Sequence, residues 1–313
     1  MLRYFIRRLL AAIPVMVLVA LIVFLLLHLS PGDPAAVIAG ETASAEEVEG
    51  IRVRLGLDRP LVEQFGRWLL QVAQGNLGVS IFSNLPVTQL VLQRVEPTLS
   101  LALVTLVPAA LIAVGIGVAA AARAGRAVDH GLMILVMLAL SSPVFVTGYA
   151  LVLLFAIQLQ WFPVQGYSPL SAGLGPFIKH LILPGITLGL GYVALIARVT
   201  RASMLEVLAQ DYIRTARSKG LGRQEILLLH ALKNAAVPVA TIIGIGVAML
   251  ISGVVVTESL FNIPGMGRLV VEAIARRDYP VIQGVTLIFS AVYVLVNLMV
   301  DLSYLALDPR VRY

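Results

Sequence analysis

Cysteine is absent from all 313 residues, which excludes disulfides and thiolate-held metals but leaves the compartment open. Charge is scarce too: Asp, Glu, Lys and Arg make up 13% of the chain, while apolar residues reach 59%. Ordinary soluble domains carry about 25% charge. Acidic residues and histidine are missing from the middle of every long apolar run, since His28, Arg198, Glu258 and Asp301 all fall near run ends. Snorkelling or interfacial solvation accounts for charges so placed, whereas a proton- or ion-coupled carrier needs them mid-span.

Sites for chemistry are missing as well. The lysines occur only in FIK, SKG and LKN contexts, so there is no GxxxxGK[ST] phosphate cradle and no direct use of ATP. There is no GxSxG, no HExxH and no carboxylate pair inside a span, hence no catalytic residue to assign. The four histidines stand at no metal-ligand spacing, so no metal site is expected. No basic run interleaved with aromatics suggests a nucleic-acid surface.

What the chain has is long apolar runs, with a mean hydropathy of +0.95. A run of ~20 residues crosses a ~30 Å hydrocarbon layer, and spans are expected near 9–29, 99–122, 132–157, 181–197, 237–256 and 285–307. MLRYFIRRLL and the run after it read as a retained first span, because that run exceeds the usual 7–15 residues of a signal-peptide core. Six helices place both termini on one side. With that side cytoplasmic, the inner segments hold 14 of the 23 basic residues, seven of them between Arg198 and Lys233. The short outer loops hold only Lys179, Arg268, Arg276 and Arg277, and the remaining five lie in the long first loop, 30–98. Basic residues collect in short cytoplasmic loops, so N-in, C-in is favoured, and the net charge of +6 acquires a topological meaning.

The first loop has helical signals of its own. Ser44 to Glu47 fits a capping box with Gly56 as the stop, and Asp58 is placed to cap a second helix that ends at Gly75. Leu61, Phe65, Trp68, Leu69 and Val72 share one face of that helix. The spans contain Pro14, Pro108, Pro143 and Pro184, small residues such as Gly115, Gly117, Gly244 and Gly246, and one GxxxG at Gly185–Gly189. This composition suits ordinary close helix packing.

One segment stands out from so apolar a chain: DYIRTARSKGLGRQEILLLHALKNA, from Asp211 to Ala235. It reads as helix, turn, helix, with 204–218 and 223–233 as the helices and Gly220 and Gly222 at the reversal. Leu208, Tyr212 and Ala216 share a helical face, while Arg214, Arg217, Lys219 and Arg223 stay wettable. That composition suits docking into a groove. A solvated connector obeying the charge rule fits the residues equally.

A glycine within a cytoplasmic loop before the penultimate span resembles the EAA loop of type I ABC importer permeases. Arg214-Thr215-Ala216 stands where that motif has Glu-Ala-Ala, Gly220 matches its glycine, and His230-Ala231-Leu232-Lys233 replaces its Ile-x-Leu-Pro. The variant DYIRTARSKGL...HALKNA is similar to the B-type permease subunits of dipeptide, oligopeptide and nickel importers. LLHLSPGDPA, LGLDRPLVEQF, GNLGVS, PTLSLAL, FNIPGMGRL, RRDYPVIQG and LDPRVRY resemble the same branch, nearly end to end.

The resemblance implies an all-α permease divided into a first helix over 1–29, an extracytoplasmic helical loop over 30–94, a permease core over 95–307 and a cytoplasmic tail over 308–313. Within the core lies a coupling loop, 204–235. The implied partners are a homologous C-type permease, two ABC ATPase subunits below, an extracytoplasmic binding protein and the surrounding lipid of a bacterial inner membrane. The chain itself would bind no cofactor; ATP and magnesium belong to the ATPase subunits. Asp211, Tyr212, Thr215, Ala216, Gly220, Leu221, Gly222, Glu225 and His230 would form the ATPase-coupling loop. Asn262, Pro264, Gly265, Gly267 and Arg268 would line an outer gate or meet the binding protein, although the Pro-Gly pair equally makes a tight turn. Di- and oligopeptides are the expected solutes, with nickel, glutathione or oligosaccharides as alternatives. An energy-independent channel or a structural membrane subunit are the rivals from other classes.

Overall fold

The protein is described here by a computed structural model covering residues 2–29, 34–39 and 44–307. Among these residues the chain is helical between its turns, and no strand forms beyond an isolated bridge from Val79 to Pro86. The helices are α1 (Leu2–Leu29), α2 (Pro34–Ala39), α3 (Ala45–Leu55), α4 (Leu61–Ala73), α5 (Val87–Ala122), α6 (Ala127–Ser141) and α7 (Val144–Leu151). There follow α8 (Leu174–Leu208), α9 (Asp211–Ser218), α10 (Arg223–Glu225), α11 (Leu232–Leu260), α12 (Met266–Arg276) and α13 (Tyr279–Leu307). The tail at 308–313 and the loop residues 30–33 and 40–43, with the basic Arg310 and Arg312, lie outside the described residues.

Among the described residues, five helical stretches are long and apolar enough to cross a membrane: Ile6–Leu26, Val87–Ala122, Leu174–Leu208, Arg223–Val247 and Tyr279–Leu302. The sixth candidate differs from expectation. The run 132–157 is two helices, α6 and α7 with its π-helical extension Val152–Gln158, bent by 103° at the break. Proline drives the residue before it out of the α region; Ser142 is accordingly extended (φ −84°, ψ 123°), and Pro143 starts α7. Pro14, Pro97, Pro108, Pro184 and Pro238, by contrast, sit inside unbroken helices.

The chain divides into two compact units, 1–95 with 269–294 and 96–268 with 295–313. In the first unit the capping box forms as expected: Ser44 Oγ accepts from the Glu47 amide, and the Glu47 carboxylate accepts from the Ser44 amide at 2.8 Å. These bonds hold the Glu47 carboxyl below its ordinary pKa. Gly56 ends α3 at φ +69°. Asp58 does not cap α4. Pro60 occupies that position with no side-chain bond, its ring fixing the φ that leads into the helix. The apolar face of α4 is spent on packing: Phe65, Trp68, Leu69 and Val72 cover Ala20, Val23 and Leu287. The Phe24 ring lies 5.3 Å from Phe65 and 5.7 Å from Trp68. Leu61 stays exposed. Asp278, buried, accepts from Ser80 Oγ at 2.5 Å and from the Ile81 amide at 3.2 Å, which ties the turn before α5 to the start of α13.

In the second unit α8 is the central element and packs against α6, α7 and α11. Leu181, Leu183, Leu188, Tyr192, Ala194 and Ile196 of α8 are buried in its main core. Gly246 leaves room for the Tyr192 ring, which lies against it and is fixed by a 2.9 Å bond from its hydroxyl to the Ile243 carbonyl. The GxxxG of α8 meets α5 at ordinary contact distance: a Cβ at Gly189 would lie 3.4 Å from Thr105.

Candidate functional site

The loop between α8 and α11 is not the simple helix pair expected from its sequence. α8 ends at Leu208, Ala209 and Gln210 break the helix, and α9 starts afresh at Asp211 with extended Gln210 before it. The segment 204–218 is therefore two helices, and Leu208 does not share a helix with Tyr212 and Ala216. Gln210 opens a new set of amides, and Asp211 places its negative charge at their positive end. The side chain that anchors α9 is Ile213, 0% exposed. The sequence reading passed over it by aligning a face across a break that hydropathy does not mark.

Gly220 provides the reversal. It adopts φ +84°, and the bonds around it form a Schellman motif: the Gly220 amide donates to the Arg217 carbonyl at 3.0 Å and the Leu221 amide to the Ala216 carbonyl at 3.3 Å. Leu221 and Ala216, both half-buried, are the pair that such a motif brings together. Gly222 is extended (φ −64°, ψ 151°), and its carbonyl accepts from the Ile226 amide, so it opens the next helix. That helix is α10, which runs through a π-helical segment, Ile226–Ala231, directly into α11. Ile226 and Ala231 are buried beneath it.

The other face of the loop is open. Asp211, Thr215, Gly220, Gly222 and Glu225 are exposed and His230 is half-buried. Tyr212 keeps 45% of its surface exposed, and its partial burial raises the phenol pKa, leaving a neutral hydroxyl. Asp211 and Arg214 pair at 3.0 Å in full solvent, an arrangement worth little energetically. Behind α9 lies a recess of about 280 Å³ lined by Ala121, Leu208, Arg217, Leu221 and Ile226, among others. The loop thus presents a short, anchored helix with a tyrosine and basic residues outward, a surface able to receive a protein.

The second candidate segment follows α11 and wraps around a carboxylate. Glu258, expected to be solvated near a span end, is instead 0% exposed. Its Oε1 accepts from Thr98 Oγ1 at 2.5 Å and its Oε2 from the Arg268 amide at 2.9 Å, while Thr98 Oγ1 accepts from the Met266 amide at 2.8 Å. Burial of a carboxylate needs such donors, and the loop turns back over α11 to supply one. Gly265 and Gly267 are required there, because a Cβ at Gly265 would overlap the Glu258 carboxylate and one at Gly267 would lie 2.7 Å from Val255 Cα. Asn262 (φ +53°) accepts from the Arg268 guanidinium. The structure therefore gathers Gly265, Gly267 and the Arg268 amide at Glu258, with Asn262 on the Arg268 guanidinium. Sequence reasoning missed Glu258 because an acidic residue at a span end is ordinarily solvated.

Glu258→Ala is expected to lower stability by about 2 kcal/mol or more, since it removes the acceptor of the Thr98 hydroxyl and the Arg268 amide. Thermal unfolding of the purified protein in detergent checks this, and Glu258→Gln should lose less.

Residues 113–313 match the family model described as the binding-protein-dependent transport system inner membrane component. Residues 1–102 match the model for the N-terminal part of such membrane components. The chain belongs to this family. Its members are the permease subunits of ABC importers, which work with ATPase and binding-protein partners and are not themselves enzymes. The chain is 53% identical over 310 residues, covering 99% of each chain, to a Sinorhizobium fredii protein named a probable peptide ABC transporter permease, y4tP. It is 42% identical over 313 residues, 100% of each chain, to the glutathione transport system permease protein GsiC of Salmonella paratyphi A. This permease is a multi-pass membrane protein, consistent with its apolar helices.

Proposed function

We propose that this permease is the B-type half of a heterodimeric pathway that imports short peptides across a bacterial inner membrane. The observation that carries the solute class is the full-length similarity to one permease named for peptides and another named for glutathione. Glutathione is itself a tripeptide, so one chemistry spans both: a short amide-linked solute with charged ends. A homologous C-type permease completes the pathway, two ATPase subunits supply ATP hydrolysis with magnesium, and an extracytoplasmic binding protein delivers the solute. Exposed Tyr212, the Schellman turn at Gly220 and the anchored α9 support the loop as the ATPase contact. The segment around Pro264 and Gly265 is assigned to the opposite, outer side, as a gate or a binding-protein contact.

The cognate binding protein is the place to read the solute. Melting it in the presence of dipeptides, longer peptides, glutathione, nickel or oligosaccharides should show stabilisation by peptides, about 2.7 kcal/mol at a ligand concentration 100 times Kd. Stabilisation by nickel or by a sugar alone would reassign the solute.

Orientation has a separate test, which the lack of cysteine makes clean. Ser44, Ser171 and Ser218 are exposed, and each is replaced singly by cysteine in intact cells probed with a membrane-impermeant thiol reagent. Ser44→Cys and Ser171→Cys should label and Ser218→Cys should not. The opposite pattern would invert the topology.

A further inference from the structure

Both arms of the docking loop are tied to the same short turn. The incoming arm is the end of α8, where Arg201 meets Asp129 in a two-bond ion pair: Nε donates to Oδ1 at 2.6 Å and Nη2 to Oδ2 at 2.7 Å. Asp129 lies in the first turn of α6, is 1% exposed, and also accepts from the Gly125 amide at 3.0 Å. The outgoing arm is α10, where the Arg223 guanidinium donates to the carbonyl of Ala122, the last residue of α5. Between Ala122 and Asp129 lies only the connection from α5 to α6. The contacts between α5 and α8 are also close here, since a Cβ at Gly117 would lie 2.8 Å from the Ala197 carbonyl.

We propose that the α5–α6 turn, Ala122–Asp129, is a second transmission element, pinned to the docking loop by Asp129–Arg201 and by Arg223–Ala122, and that it passes ATPase-driven displacement to α5 and to the broken span α6–α7. The proposal rests on the reading of the 204–235 loop as the ATPase contact. Its physical basis is the kind of joint used at each pin. A bidentate guanidinium–carboxylate pair fixes orientation as well as distance, and one whose carboxylate is buried resists separation because that charge left alone is costly. A displacement of α8 therefore carries the start of α6 with it. α6 packs along α8, and its far end is the break at Ser142–Pro143, where the 103° bend gives the span a joint of its own. Arg201 and Arg223 are engaged in these contacts, while α9 turns Tyr212, Arg214 and Arg217 outward. Arg201 and Asp129 thus serve as positioning residues, acting through the helices they join.

The experiment uses the complete importer, with this chain, its permease partner, both ATPase subunits and the binding protein, reconstituted in vesicles. ATP hydrolysis, solute uptake and ATPase-subunit copurification are measured together for Asp129→Asn, Arg201→Lys, the exchange Asp129→Arg/Arg201→Asp and Arg223→Ala. The expected signature of Asp129→Asn and Arg223→Ala is a fall of about 5-fold or more in solute moved per ATP hydrolysed, with the ATPase subunits still bound. Arg201→Lys keeps the charge and loses the fork, so it should fall less, and the exchange should recover part of the loss. An unchanged ratio in both Asp129→Asn and Arg223→Ala would overturn the proposal, as would failure of both variants to insert, which would assign the contacts to folding alone. Loss of ATPase-subunit binding in these variants would place the pins in docking and overturn it too. If Gly220→Val leaves coupling and ATPase binding intact while the pin variants do not, the reading of the 204–235 loop falls and takes the proposal with it, whereas impaired Gly220→Val beside unaffected pin variants overturns the proposal alone.

Discussion

Gly220→Val should sharply reduce solute uptake by the assembled importer while leaving the chain inserted in the membrane. Gly220 holds φ +84° with open space around its Cα, so a new side chain meets no neighbour and the cost is backbone strain. For a residue with a Cβ the left-handed conformation costs about 1–2 kcal/mol, and a β-branched one is a marked outlier there. If the strain is relieved, the bonds from Gly220 to Arg217 and from Leu221 to Ala216 open, and α9 loses the stop that sets its angle. A change of that size alters the population of the intact turn by a factor of about 5–30. It is too small to unfold a multi-pass helical protein. Gly222→Ala should be mild, because Gly222 is extended at φ −64° and nothing lies within 4 Å. Uptake, ATP hydrolysis and copurification of the ATPase subunits in the reconstituted complex provide the check. Wild-type coupling in Gly220→Val with full ATPase binding would return the loop to a solvated connector.

Gly246→Ala should have the opposite character: a lower melting temperature of the fold itself, before any question of coupling arises. A methyl at Gly246 would overlap the Tyr192 ring, which is 5% exposed and held by its hydroxyl to the Ile243 carbonyl. The ring cannot turn aside without losing that bond, so α8 and α11 must separate along the core they share. Overpacking of this kind costs typically about 1–3 kcal/mol, sometimes more, and the upper end is expected here. Thermal unfolding in detergent and the yield of membrane-inserted protein measure it. Gly191→Ala, where nothing lies within 4 Å of the new methyl, is the control. Tyr192→Leu added to Gly246→Ala should recover part of the loss by making room. A wild-type melting temperature for Gly246→Ala alone would contradict the packing described.

The apolar helices and the reversal at Gly220 were legible because their signals are local. Hydropathy marks an apolar run, Ser44 and Glu47 mark a helix start three residues apart, and Gly220 marks a left-handed stop. What was not legible depends on partners distant in sequence. Glu258 reads as a solvated end residue until Thr98 and the Arg268 amide are seen to enclose it. Asp129 and Arg201 stand 72 residues apart in sequence, and only folding brings them within 2.6 Å. The break between α6 and α7 has a visible cause in Pro143, yet Pro184 and Pro238 sit inside unbroken helices, so proline alone does not say where an apolar run bends. At α9, Ile213 went unrecognised because the chosen face assumed one helix through Ala209 and Gln210, where the structure has two.

The most direct test of the account is solute accumulation in vesicles. Vesicles that hold this permease, its permease partner and both ATPase subunits, with the binding protein outside and ATP at the ATPase face, should concentrate peptide. They should stop when hydrolysis is blocked or the binding protein is omitted, and this chain alone under a proton gradient should concentrate none. Uphill uptake by this chain alone would contradict the account and make it a secondary carrier.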